Sequence, residues 1–101
     1  MENKDIISVQ KICVLYDVPN SFIESLCDFE LIEIINESNE QFIHERQIRD
    51  IEKLIRLHYD LNINFEGLDV IQNLLNKVAS LESELRTANN ELDFYRHLSI
   101  D

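Results

Sequence analysis

No lysine or arginine occurs between Ile12 and Glu45. Up to Glu45 the chain carries two bases, Lys4 and Lys11, against ten acids, a balance of −8 within the total of −11. A surface built from that stretch has nothing with which to neutralise phosphate. The chain also has a single glycine, Gly67, and a single proline, Pro19. That leaves no material for phosphate-cradling loops, a many-turned β sandwich or a flexible linker, and it points to a mostly helical protein. Cys13 and Cys27 fit no metal or redox spacing, so two buried free thiols on apolar helix faces are expected. The opening residues lack a basic segment leading into an apolar one, and Ile12–Tyr16 is far too short to span a bilayer. A cytoplasmic protein without membrane contact is the expectation.

What is present is enough to fold. The 101 residues are 45% hydrophobic, which suits one domain with a modest core and no disulfides. Ser8 can cap a first helix whose apolar positions Val9, Ile12, Cys13 and Tyr16 follow helical spacing and which ends near Asp17. Pro19 keeps Val18 extended, and Ser21 to Glu24 offers the capping box of a second helix with Phe22, Ile23, Leu26 and Cys27 inward. Two short helices joined by about four residues make a helix-turn-helix candidate. Leu31–Ile35 and Gln41–Ile43 flank a polar turn at Asn36–Glu40 and read as a small hairpin, or wing. A third helix is expected from Glu45 to about Leu61 on Ile48, Ile51, Leu54, Ile55 and His58, and Asn64 is positioned to cap a fourth.

From Phe65 onward the pattern becomes heptad. Ile71, Val78, Leu85 and Leu92 fall at a, and Leu74, Leu81, Ala88 and Tyr95 fall at d. A long helix with so narrow a seam needs a partner, and a homodimer is the economical one. Parallel pairing would set Lys77 against Glu82 and Glu91 against Arg96 of the second copy, but such exposed pairs are too weak to exclude an antiparallel arrangement. Residues 1–62 form the head with its third helix, and 63–101 form the dimerisation helix, within a single structural unit.

Chemistry-bearing constellations are few. His44, His58 and His97 are scattered, and neither the histidines nor the cysteines show metal-ligand spacing; His58 on an apolar face reads as a structural histidine. The chain lacks G-x-S-x-G, P-loop and dinucleotide fingerprints, so no catalytic residue, cofactor or metal is expected, and the protein is expected not to be an enzyme. Tyr16, Phe22, Phe29 and Phe42 have acidic neighbours, which suits core packing or a protein interface better than base stacking. Only the third helix carries a basic stripe, Arg46, Arg49, Lys53 and Arg56. Interspersed with Asp50 and Glu52, it reads as a solvated face.

In order, these elements resemble the MerR-type architecture: a mainly α fold with a winged helix-turn-helix head, a small β-hairpin wing, a further helix and a long C-terminal coiled-coil dimerisation helix. From the wing onward, Phe42-Ile43-His44-Glu45 and then Ile51 to Ile71 are similar to the chaperone-modulator (CbpM) family. The stretch R-L-x-x-D-L-x-I-N-x-E-G, Arg56 to Gly67, carries most of that similarity. The resemblance implies a dimer that binds the J-domain of a DnaJ-like co-chaperone and inhibits its stimulation of Hsp70. Such J-domains present a basic helix, which suits an acidic competitor. Metal-sensing MerR proteins use cysteines near the dimer helix, and this chain has none after Cys27, so metal response does not carry over. Charge and expected exposure single out Glu24, Asp28, Glu30, Glu33 and Glu37 as partner-binding residues. A MerR-like transcription regulator that reads DNA through third-helix bases, or through a partner, is the alternative. A dimerisation adaptor for some other basic protein is a third reading.

Overall fold

A computed structural model describes residues 5–98. Strand β1 (Ile6–Ser8) runs directly into helix α1 (Val9–Tyr16), and helix α2 (Asn20–Asp28) follows after a short turn. Strands β2 (Ile35–Glu37) and β3 (Glu40–His44) form the wing. A 3-10 turn (Glu45–Gln47), helix α3 (Ile48–Ile55), a π turn (Arg56–Asp60) and helix α4 (Phe65–Leu98) follow. The sheet has the order β1-β3-β2, antiparallel throughout, with Ile7 opposite Ile43 and Ile35 opposite Phe42.

The start of α1 follows its sequence signal. The Ser8 hydroxyl accepts the Lys11 N–H at 3.1 Å, satisfying one of the first-turn donors. Val9 and Ile12 are buried on the inner side, and the helix stops at Asp17, whose backbone is left-handed at φ 55°. The start of α2 does not. The expected capping box at Ser21 and Glu24 is absent, because α2 already begins at Asn20 with Pro19 in the cap position. Pro19 has φ −76°, close to the helical value, and lacks only an N–H that the first turn would leave unpaired anyway. Its carbonyl accepts the Phe22 N–H at 3.1 Å.

The end of α2 is unusual for the residue it employs. Leu31 N–H donates to the Leu26 carbonyl and Glu30 N–H to the Cys27 carbonyl, both at 2.9 Å, with Glu30 left-handed at φ 60°. This is a Schellman closure with glutamate in the position that glycine ordinarily fills.

The expected first wing strand at Leu31–Ile35 is displaced, and β2 begins only at Ile35. Upstream of it, the Glu33 backbone N–H and carbonyl are bound by the Gln47 side-chain amide at 2.9 and 3.0 Å, so a side chain stands in for a strand neighbour. The turn shrinks from the expected five residues to two, Ser38 and Asn39, since Glu37 pairs with Glu40. Both turn residues have positive φ, 51° and 65°, as a tight hairpin of matching twist requires.

The third helix is likewise divided. Only Ile48–Ile55 is α-helical, and the Leu61 N–H reaches back five residues to the Arg56 carbonyl at 3.3 Å. The π turn carries His58 into an aromatic cluster: its ring lies 4.8 Å from Phe65 and 5.2 Å from Phe22, while Nδ1–H donates to the Ile63 carbonyl at 2.8 Å. That is a satisfied structural histidine, as expected.

Asn64 caps α4, its side-chain oxygen accepting the Gly67 N–H at 2.8 Å. Gly67 is required by close approach: a Cβ there would lie 2.7 Å from Ile63 Cγ2. The core joins Ile12, Phe22, Leu26, Ile43, Ile51 and Leu54 with Leu68 from the first turns of α4, all at most 3% exposed. Two compact units result, one ending at Asp69 and the other starting at Val70.

Candidate protein-binding face

The acidic residues chosen from charge all reach solvent. Glu24 and Asp28 stand one helical turn apart on the exposed side of α2, Glu30 occupies the left-handed closing position, and Glu33 and Glu37 lie before and at the end of β2. Glu24 and Asp28 line a shallow hollow against the wing, with Cys27, Ile34, Asn36 and Gln41. Glu30 and Glu33 line a second with Cys27, Ile32, Ile34 and Ile35. Cys27 and Ile34 belong to both, so four of the five acids border one continuous strip with apolar side chains in it. Glu37 stands apart from them, paired with Glu40 beside the hairpin turn.

Two of these acids are placed at conformational and electrostatic expense. The αL backbone at Glu30 is disfavoured for any residue with a Cβ. Asp28 and Glu30 also stand at the negative end of the α2 dipole, and the last turn of α2 carries no base. The fold alone favours glycine and a cation there.

Sequence reasoning missed a third hollow, between α1 and the wing turn. Val14, Asp17, Asn20, Glu40 and Gln41 line it, together with buried Val9 and Val18 and half-buried Cys13. Its signal in the sequence is Val14, an apolar residue outside the inward pattern of α1 and 78% exposed. Gln41 also lines the Glu24–Asp28 hollow.

The cysteines require a correction. Cys13 and Cys27 are free but half-buried, because each lies at the side of its helix, against a hollow. The Cys13 thiol donates to Asn20 Oδ1 at 3.5 Å, and partial burial pushes its pKa up, away from the reactive thiolate. Phe22 is a core residue, whereas Tyr16, Phe29 and Phe42 are half-buried. Tyr16 ties α1 to α3, its hydroxyl donating to Glu52 Oε2 at 2.7 Å.

The basic stripe occupies other elements. Arg46 lies in the 3-10 turn, Arg49 and Lys53 on α3, and Arg56 at the π turn; all but half-buried Lys53 are exposed. Along α4 the seam residues Leu74, Val78, Leu81, Leu85, Ala88, Leu92 and Tyr95 are exposed within the single chain, and Ile71 is half-buried. Among the described residues no group of three or more His, Cys, Asp or Glu side chains is arranged to hold a metal ion, and no helix is long and apolar enough to cross a membrane.

The family model described as MerR HTH family regulatory protein matches residues 7–90, from β1 through most of α4. The chain belongs to the MerR HTH family. The winged head and the long helix that follows are therefore those of this family. No curated protein and no solved structure matches the chain. A helix-turn-helix meets DNA through its second helix, with phosphate contacts to hold the register. In this MerR HTH family member the corresponding helix, α2, presents Glu24 and Asp28 and no base.

Proposed function

We propose that this MerR-type chain is a cytoplasmic, non-enzymatic regulator that has turned its helix-turn-helix and wing from nucleic acid to a basic protein surface. The observation that carries the reading is the run from Ile12 to Glu45 without a base, with Glu24, Asp28, Glu30, Glu33 and Glu37 all exposed. The apolar side chains between those acids supply what charge alone does not, since charge steers encounter and buried apolar anchors provide affinity. The partner class follows from the resemblance of Arg56–Gly67 and the wing to chaperone modulators. It is the basic J-domain of a DnaJ-like co-chaperone, whose stimulation of Hsp70 the protein inhibits. A homodimer through the α4 seam presents two such faces.

Charge reversal tests the reading. Titration of an isolated J-domain into the wild type and into a Glu24→Lys, Asp28→Lys double variant is expected to show roughly tenfold weaker binding by the variant, the scale of about 1.4 kcal/mol. The difference shrinks with added salt as screening sets in. Equal affinities for the two proteins would remove α2 from the interface.

A second reading has its own observation. Arg46, Arg49, Lys53 and Arg56 recur every three or four residues and form a stripe like those that track phosphate, and the family is one of HTH regulators. On that reading the protein is a MerR-like transcriptional regulator contacting DNA through its third helical segment.

A further inference from the structure

The three hollows form a chain. Gln41 joins the α1–turn hollow to the one beside Glu24 and Asp28, and Cys27 and Ile34 join that one to the hollow beside Glu30 and Glu33. Asn20, Glu24 and Asp28 recur every four residues on the side of α2 that faces the wing, so they line one wall of a single trough. Among the described residues, lysine and arginine are absent from the lining of all three hollows.

We infer that this trough receives a basic amphipathic helix of a protein partner, and that the α1–turn hollow, lined by Val14, Asp17 and Glu40, takes that helix's apolar anchor. The inference deepens the proposed regulatory role and rests on it for the identity of the partner, but not for the chemistry of the groove. Helical form is favoured over strand addition because the exposed edge of β2 is only three residues long, too short for a ladder. Acidic side chains one turn apart on α2 match bases one turn apart on a docked helix. Among the described residues, the charged groups at the α1–turn hollow are both acids, so a lysine or arginine beside an apolar anchor is satisfied by either carboxylate. The hollow measures about 820 Å³ and is open, room enough for a large aliphatic or aromatic side chain. Val14, at 78% exposed, contributes nothing to the core of the head, and its burial against an anchor recovers apolar area that folding leaves in water.

Leu15 provides the internal control, being an exposed apolar residue on the same helix but outside the lining. The probe is a synthetic amphipathic helical peptide with a leucine stripe flanked by lysines, followed by fluorescence anisotropy on the full chain. Val14→Asp is expected to weaken peptide binding by roughly tenfold, as loss of a buried anchor does. Leu15→Asp, which adds the same charge to the same helix, is expected to leave binding within about twofold. Replacing the central leucine of the peptide by serine is expected to abolish the difference between the wild type and Val14→Asp. Circular dichroism on both variants establishes that the head is folded. Equal binding by the two variants overturns the inference. So does a change of oligomeric size with Val14→Asp at unchanged peptide affinity, which would make the occupant a second copy. The J-domain titration is decided separately: J-domain binding without the Val14 contrast removes the anchor site and keeps the proposed function, whereas the contrast without J-domain binding keeps the trough and removes that partner.

Discussion

Glu30 sets folding against the proposed binding in one residue. Its φ of 60° suits glycine, and its carboxylate lies at the unfavourable end of α2. Glu30→Gly is therefore expected to stabilise the head by about 1 kcal/mol while weakening association with a basic partner. Urea denaturation beside a binding titration checks both halves, and destabilisation by the glycine would remove the argument. The exposure of the five acids was legible residue by residue, charge being the signal. What was not legible was their setting, because Cys27 and Ile34 become a shared floor only once the wing folds back beside α2. Asp17 and Glu40 escaped notice for the same reason, being separated in the chain and joined only across a hollow.

At the scale of elements, local rules succeeded where one residue decides and failed where distant residues compete. Ser8 and Asn64 cap the helices their positions suggested. Ser21 and Glu24 do not, since Pro19 starts the helix first. Strand β1 left no signal, because its three residues gain their pairing from β3, more than thirty positions away. The displaced β2 and the π turn likewise depend on a remote amide and on aromatic packing. Another remote tie, Tyr16 to Glu52, sets a pH limit on the α1–α3 packing. Donation to the Glu52 carboxylate, then burial, and then the nearby negative charge raise the Tyr16 pKa above its ordinary value. Its contribution is complete below about pH 10, the unfolded value, and is lost as pH rises through the folded one. Tyr16→Phe is expected to cost about 1 kcal/mol at neutral pH. The wild type's advantage over the variant is expected to vanish in strongly alkaline solution, as paired denaturation curves would reveal; a constant difference would place the effect elsewhere.

For the whole molecule, α4 and the head raise separate questions. The seam pattern was fully legible, because a heptad is a local repeat and helix α4 carries it unbroken to Leu98. Leu74, Val78, Leu81, Leu85 and Leu92 are exposed in the single chain, and a second copy is the proposed cover. Sedimentation at tens of micromolar is expected to give twice the 12.0 kDa chain mass, and the Leu85→Gln, Leu92→Gln variant is expected to sediment as a monomer. A monomeric wild type would remove the coiled-coil assignment.

On the proposed function, the MerR-type head has exchanged phosphate for protein. Parallel titrations at low salt, with a J-domain in one and duplex DNA in the other, test it most directly. Binding of the J-domain with no submicromolar DNA binding is the expected result. Submicromolar DNA binding by the protein alone, without J-domain binding, would contradict it.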